Sequence, residues 1–122
     1  MPDGIDLATL PDDCDVVVFP AEIDVCNAGI AFAALSAVLE RGVRLVVADM
    51  TRSVFCDCSG VNALLGARRL AVRAGAELRV VTRNSQVHRL FDLTGAASRL
   101  AVFPDVGAAL AGAAQASFPD GG

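Results

Sequence analysis

The sequence contains no Trp, no Tyr and no Lys among its 122 residues, and only one His. All ten basic residues are arginines, a bias that we attribute to a genome of high GC content. Long apolar runs are also missing. The longest uncharged stretch of the predicted first helix, residues 28–39, is shorter than the roughly 18 residues of a membrane-spanning helix. We therefore expect no insertion into a membrane.

A secretory signal peptide is not recognisable at the start of the chain. Asp3 and Asp6 occupy the positions where such a peptide carries basic residues, and no apolar segment follows them. We therefore expect a cytoplasmic protein. Because the cytosol is reducing, the cysteines are expected to be free thiols.

The single histidine, His88, limits the catalysis that the chain can support. A Ser-His-Asp or Cys-His arrangement would depend on this one base, and neither a P-loop nor a dinucleotide-binding loop occurs. His88 lies beside Arg89 and Asp92 on the polar side of a predicted helix, where we expect a solvated face. The sequence therefore predicts neither enzymatic activity nor a cofactor.

A metal-binding pattern is absent from the four cysteines, which are Cys14, Cys26, Cys56 and Cys58. The Cys56-x-Cys58 pair lacks a second pair at the spacing of a zinc site, so we expect no metal. Cys56 is expected to be buried at the end of a strand, because a free cysteine behaves as a small apolar residue. A disulfide from Cys26 to Cys56 or Cys58 is geometrically conceivable but not predicted.

The charge of the chain is unevenly distributed. Residues 1–40 carry eight acids and no base, for a charge of −8, whereas residues 41–122 carry six acids and ten arginines, for a charge of +4. The net charge of −4 argues against nonspecific binding to nucleic acid, which needs a basic surface. The acidic part either keeps the domain soluble or steers a basic protein partner.

Composition and periodicity predict one α/β domain. Hydrophobic residues make up 54% of the chain, enough for one core, which we place at about residues 4–113, with residues 114–122 as an unstructured tail. Runs of β-branched and apolar residues predict strands at 16–19, 43–48, 77–82 and 100–103, with a further strand at 4–10. Four helices are predicted from apolar residues at helical spacing, such as Leu35, Leu64, Val72, Phe91 and Ala113.

The order of these elements, β-β-α-β-α-β-α-β-α, predicts a mixed sheet. Strands that alternate with helices pair in parallel at the centre of a sheet, and the strand at 4–10 would add an antiparallel N-terminal edge. We expect the four helices to lie mostly on one face. Gly42 and Gly75 are predicted to stop the first and second helices.

The most informative stretch is the junction before the second helix, where Asp57, Ser59 and Gly60 precede an apolar helical pattern. These residue types cap and start helices, and from its position we expect Ser59 to be the cap. The unpaired N–H groups of a first turn also favour negative charge, so a hydroxyl here could carry a phosphate. Taken alone, such a junction is a common helix start.

Three separated motifs together resemble the STAS family, the small domains typified by bacterial anti-sigma factor antagonists. The motif Ala-Glu-Ile-Asp at 21–24 is similar to the end of the family's second strand. The motif Asp-Cys-Ser-Gly-Val at 57–61 resembles the family's Asp-Ser-Ser-Gly-Leu. Residues 87–95 resemble its third helix and terminal turn. The order and spacing of the three make the resemblance fairly specific.

The resemblance implies a regulatory partner. Such a domain binds an anti-sigma factor that is also a serine kinase of the histidine-kinase-like ATPase class, and so frees a sigma factor for transcription. The kinase phosphorylates the Ser after the motif Asp, which breaks the complex, and a phosphatase resets it. In this chain that position is Cys58, and a thiol is not a substrate for an ordinary serine kinase.

Cys58 leaves three interpretations open. The domain could bind its partner constitutively, with the phosphorylation switch lost. Alternatively, a thiol near a helix N-terminus could have a lowered pKa and respond to oxidation. In the third interpretation Ser59 replaces it as phosphoacceptor.

The partner surface implied by the resemblance comprises the start of the second helix and the loop after the second strand. A polar stripe along that helix, at positions 62, 66, 69 and 73, is either solvated or part of this surface, and an arginine cluster at 68, 69 and 73 accompanies it. The predicted partner-binding residues are Glu22, Asp24, Asp57, Cys58, Ser59, Gly60, Asn62 and Arg69.

The chain is expected to be a monomer or a weak homodimer. Two alternatives to the anti-sigma role stay open. The first is an accessory subunit of a membrane lipid-transport ATPase complex. The second is a sensor of a small ligand or nucleotide, bound at the carboxyl ends of the strands near Asp57 and Thr82.

Overall fold

The computed structural model describes residues 13–111. It contains six strands, four α-helices and one short 3₁₀ helix over that range. The strands are β1 (Cys14–Val18), β2 (Glu22–Ile23), β3 (Leu45–Asp49), β4 (Phe55–Cys56), β5 (Glu77–Val81) and β6 (Ala101–Phe103). The α-helices are α1 (Ala28–Glu40), α2 (Cys58–Arg73), α3 (Ser85–Thr94) and α4 (Val106–Leu110), and the 3₁₀ helix is Ala96–Ser98.

The main sheet has the order β1-β3-β5-β6, and every neighbouring pair is parallel. This confirms the predicted α/β class and the parallel centre of the sheet. The strand predicted at residues 4–10, and the antiparallel edge that it would form, lie outside the described residues. The pairing of β2 with β4, two residues each, was not predicted; it forms a separate parallel ribbon, called here the β2–β4 ribbon.

Helices cover the two faces of the sheet unequally. Alternate residues of β3 and β5 point to opposite faces. Val46 and Val80 belong to the large core under α1, α2 and α3, whereas Val47 and Val81 belong to a small core that includes Ala109 of α4. The expectation of helices mostly on one face is therefore confirmed. Within residues 13–111, no helix combines the length and apolar character that crossing a membrane requires.

The structure confirms the two predicted helix ends, and among the described residues one position predicted to lie in the core is exposed. Gly42 and Gly75 follow α1 and α2 with φ angles of +87° and +73°, a left-handed conformation that favours glycine and ends a helix. Val72 was expected in the core but is 61% exposed, so this prediction was wrong. The buried side of α2 instead follows Ala67 and Ala71, whose small side chains let the helix lie close to the sheet. Ala113 lies outside the described residues.

A buried arginine, which the apolar strand pattern did not predict, holds α4 on the sheet. Arg79 of β5 is 1% exposed. Its Nε donates to Glu77 Oε2 at 3.0 Å, and its Nη1 donates to the carbonyl oxygen of Ala109 at 2.6 Å. Its guanidinium also lies 5.4 Å from the ring centre of Phe103. One side chain therefore connects β5, β6 and the end of α4.

Arg79→Ala should lower the free energy of unfolding by about 2 kcal/mol or more, because it removes packed surface and leaves a carbonyl of α4 without its donor. Urea unfolding of the variant measures this loss. The matched control is Arg99→Ala, which removes an exposed arginine without an ion pair among residues 13–111. We expect that control to remain within about 0.5 kcal/mol of the wild type. Equal stability of both variants would contradict the role assigned to Arg79.

Candidate partner-binding site

The β2–β4 ribbon brings two of the sequence motifs together. Ile23 lies opposite Cys56 in the ribbon, and the N–H of Asp57 donates to the carbonyl oxygen of Ile23 at 3.1 Å. The hydroxyl of Ser53 donates to the carbonyl oxygen of Pro20 at 2.7 Å and fixes the segment before the ribbon. The loop after β2 and the first turn of α2 therefore lie side by side.

Asp57 caps α2. Its backbone is extended, and its Oδ1 accepts hydrogen bonds from the N–H groups of Ser59 at 2.8 Å and Gly60 at 3.3 Å. The expectation that Ser59 is the cap was wrong, because Ser59 is already the second residue of the helix. An aspartate one residue before the helix can reach these N–H groups, whereas a side chain inside the helix is turned away from them. Cys58 consequently occupies the first helical position.

The residues of this turn differ in exposure. Cys58 is exposed, Ser59 is half-buried and Gly60 is buried. A Cβ on Gly60 would lie 2.5 Å from Cys56 Sγ and 2.8 Å from Ile23 Cγ2, so no other residue fits there without movement of the core. Gly60, which we predicted to bind the partner, therefore lies beneath the surface and allows α2 to start close to the ribbon.

The loop between β2 and α1 is held by its own polar side chains. Asp24 Oδ1 accepts a hydrogen bond from the N–H of Cys26 at 2.9 Å. Asn27 Oδ1 accepts from the N–H of Asp24 at 3.0 Å, and its Nδ2 donates to the carbonyl oxygen of Glu22 at 2.8 Å. Sequence reasoning missed Asn27. Its position directly before the helical pattern is typical of a cap residue and could have identified it.

A groove of about 490 Å³ runs between α1 and α2, and we call it the α1–α2 groove. The predicted polar stripe of α2 lines it, with Asn62 and Arg69 exposed on its wall. Ser59 lies at the end where the helices begin. The groove is also lined by Gly29 and Phe32 of α1, which sequence reasoning missed because they become neighbours of the stripe only in the folded chain.

The predicted arginine cluster divides in two. Arg69 and Arg73 line the α1–α2 groove, whereas Arg68 lies on another side of α2 with Arg99. Neither Arg69 nor Arg73 forms an ion pair with any residue in the range 13–111. Two guanidinium groups of the groove are therefore available to a partner.

The four cysteines are free thiols of two kinds. Cys56 is buried at the end of β4, as predicted, and burial raises its pKa to about 11, with a further contribution from the Asp57 carboxylate. Burial and the neighbouring Asp13 carboxylate also raise the pKa of Cys14. Cys26 and Cys58 are exposed. Of the four thiols, the buried pair is kept protonated, and only the exposed pair is accessible to a partner or reagent.

His88 has a structural contact that the sequence did not predict. It is exposed on α3, as expected, and its Nε2 lies 3.1 Å from the carbonyl oxygen of Thr82, to which it donates in the matching tautomer. The hydroxyl oxygen of Thr82 accepts from the N–H of Asn84 at 3.1 Å. These bonds hold α3 against the end of β5.

Comparison with known proteins gives one family and several similar structures. The model of the STAS domain matches residues 7–109. An anti-sigma factor antagonist from Mycobacterium paratuberculosis is similar over 82% of this chain and 85% of its own, with a TM-score of 0.74 and 25% identity. The anti-sigma factor antagonist SpoIIAA, in its unphosphorylated form, is similar over 87% of this chain and 92% of its own, with a TM-score of 0.69 and 18% identity.

A third similar structure belongs to a membrane transporter. The murine solute carrier 26 family member A9 anion transporter matches 86% of this chain with only 18% of its own length, a TM-score of 0.66 and 21% identity. Because their identities to this chain are only 18% and 21%, SpoIIAA and the transporter support the fold alone. No curated protein is significantly similar in sequence.

Gly60→Ala should lower the free energy of unfolding by about 1–3 kcal/mol, because the added methyl group collides with Cys56 and Ile23 in a packed core. Thermal or urea unfolding measures the change. Gly29→Ala is the matched control, since a Cβ there has no neighbour within 4 Å. The control should be neutral or gain up to about 1 kcal/mol from helix propensity. If both variants were equally stable, the close packing at Gly60 would be refuted.

Proposed function

The chain belongs to the STAS domain family, and we propose that it acts as an anti-sigma factor antagonist. In this role it binds an anti-sigma factor of the histidine-kinase-like ATPase class and releases a sigma factor for transcription. The likeness to the anti-sigma factor antagonist from Mycobacterium paratuberculosis, at 25% identity over most of both chains, supports the proposal. In this proposal the chain acts by binding its partner, without catalysis.

The observation that carries the proposal is the joining of two motif segments into one exposed surface. The hydrogen bond from Asp57 N–H to Ile23 fixes the first turn of α2 beside the loop that carries Asp24. Cys58 of this turn and Glu22 of β2 are both exposed. A partner that contacts one segment therefore meets the other as well.

The charges of this surface suit a basic partner face. Glu22 and Asp24 form no ion pair with any base in residues 13–111. Complementary charge increases the association rate and suppresses wrong partners, even where it adds little affinity. The acidic loop would therefore orient the anti-sigma factor, and contacts around Cys58 would supply the closer fit.

We propose that the phosphorylation switch at position 58 is lost and that the chain binds the anti-sigma factor constitutively. Cys58 is exposed, but a thiol is not a substrate for an ordinary serine kinase. Ser59 is a poorer acceptor position, because it is half-buried and lies in the α1–α2 groove. Phosphorylation of Ser59 and oxidation of Cys58 are the two alternatives to a lost switch.

The other roles have less support. A nucleotide sensor with a site near Thr82 is disfavoured because that side chain is buried and its hydroxyl already accepts a hydrogen bond from Asn84. An accessory subunit of a lipid-transport complex would use the same fold, and no feature of the described residues favours it. We propose that the protein acts in the cytoplasm, as a monomer or weak homodimer outside its complex.

Cys58→Asp should weaken binding of the anti-sigma factor by at least about tenfold, because it places a charge at the centre of the proposed contact. The partner is first isolated by affinity purification from the native cell, and calorimetry then gives the affinity. Ser85→Asp is the matched control: it adds the same charge at the first position of α3. Equal affinity of Cys58→Asp and wild type would place the contact elsewhere.

Incubation with the kinase and ATP should leave the wild-type protein without phosphate, whereas Cys58→Ser should gain one phosphate, because only the variant offers an exposed hydroxyl at the first position of α2. Intact mass and site mapping measure the outcome. The double variant Cys58→Ser with Ser59→Ala should still be phosphorylated. Phosphate on Ser59 of the wild type would refute the lost switch, and mass gained without ATP would indicate oxidation.

A further inference from the structure

The two walls of the α1–α2 groove run in the same direction. α1 follows β2 and α2 follows β4, and these two strands pair in parallel. Gly29 and Ser59 therefore lie at the end where both helices begin, and Arg73 lies at the other end. The α2 side of the groove rises by about 21 Å between Ser59 and Arg73, the length of an α-helix of about 14 residues, whereas the α1 side is formed by Ala28, Gly29 and Phe32 of its first two turns.

The groove has opposite charges at its two ends. The acidic loop with Glu22 and Asp24 adjoins the end where the helices begin. Arg73 lies toward the other end, and Arg69, also exposed, lies between the two ends, with its Nη2 3.8 Å from the position of a Cβ on Gly66. The ion pairs found within residues 13–111 are Asp15 with Arg41, Asp13 with Arg44 and Glu77 with Arg79, so none neutralises either end of the groove.

The middle of the groove holds an aromatic ring beside a guanidinium group and is kept open by glycine. The ring of Phe32 forms part of the wall opposite α2. A Cβ on Gly66 would lie 3.2 Å from Phe32 Cε1 and 3.8 Å from Arg69 Nη2, so a side chain there would occupy the groove. At Gly29 a Cβ would meet nothing within 4 Å. The absence of a side chain at Gly66 leaves the ring accessible, and Gly29 leaves free space at the end where the helices begin.

The shape favours a segment of protein over a small ligand. Gly29, Asn62, Arg69 and Arg73 are all exposed along the groove, which is open to solvent over its length. Sites for small molecules usually bury most of their ligand, whereas a groove between two helices suits an elongated amphipathic segment with apolar anchors.

We propose that the α1–α2 groove binds an amphipathic helical segment of the anti-sigma factor, which places an apolar side chain on Phe32 and acidic side chains on Arg69 and Arg73. This inference rests on the proposed function and adds a second contact to it. The contact is separate from the turn at Cys58, so the partner is held at two places. Such a segment would carry acidic residues at one end of about four helical turns and an apolar residue near the middle.

The first test fills the groove without disturbing the fold. Gly29→Leu adds a large side chain where a Cβ has free space, so thermal stability should be equal or higher. Affinity for the anti-sigma factor that binds the wild type should fall at least about tenfold, as for the loss of an interface anchor. Ala37→Leu, at an exposed position of α1 away from the groove lining, is the control and should bind as the wild type does.

The second test reverses the charge of the groove. The double variant Arg69→Glu with Arg73→Glu should bind about tenfold or more weakly, with a smaller dependence of affinity on salt concentration. The control, Arg68→Glu with Arg99→Glu, makes the same change of charge on another side of α2 and should bind normally. Replacing Arg69 and Arg73 by lysine should preserve most of the affinity, because the charge is kept.

The outcomes separate this inference from the proposed function. If the wild type binds no anti-sigma factor, the proposed function fails and the inference fails with it. If the wild type binds one and Gly29→Leu binds equally well, the proposed function stands and the groove contact is refuted. A change in self-association of Gly29→Leu in sedimentation, with unchanged partner binding, would assign the groove to a second copy of the chain and would also overturn the proposal.

Discussion

The candidate site depends on one close contact, the packing of the backbone at Gly60 against Ile23 and Cys56. Since a Cβ there would come within 2.5 Å of Cys56 Sγ, the approach is possible only for glycine. It lets α2 begin directly on the β2–β4 ribbon, where Asp57 both donates its N–H to Ile23 and caps the helix. The position of the acidic loop, the exposure at position 58 and one end of the α1–α2 groove all follow from this junction.

The cap explains why position 58 can change its chemistry without changing the fold. Asp57 supplies the acceptor for the first turn of α2, so neither the side chain of Cys58 nor that of Ser59 is needed to start the helix. A serine and a cysteine are nearly the same size, and at an exposed first position either is compatible with the helix. In the proposed role the difference is functional, because an ordinary serine kinase phosphorylates a hydroxyl and not a thiol.

The sequence was sufficient for features that depend on neighbouring residues and insufficient for those that depend on distant ones. The β-branched runs of β3 and β5 and the glycines after α1 and α2 are local signals, and they placed the strands and helix ends correctly. The β2–β4 ribbon was missed because two residues are too few to show a period. Arg79 was missed because its carbonyl acceptor, Ala109, lies thirty residues away. Asp57 and Ser59 are both capping residue types, and only the backbone geometry distinguishes them. The lining of the groove by Phe32 required the packing of two helices.

The acidity of the first forty residues has two different uses, which the linear sequence could not separate. Asp13 and Asp15 pair with Arg44 and Arg41, the residues on either side of the turn before β3. These exposed pairs contribute little to stability, but they neutralise the charge at that end of the sheet. Glu22 and Asp24 have no such partners among the described residues and lie at the opposite ends of the strands. The charge available to a partner is therefore concentrated beside Cys58 and faces the two unpaired arginines along the groove. For the proposed helical segment, this arrangement would set both a position and an orientation, which a uniformly acidic surface would not.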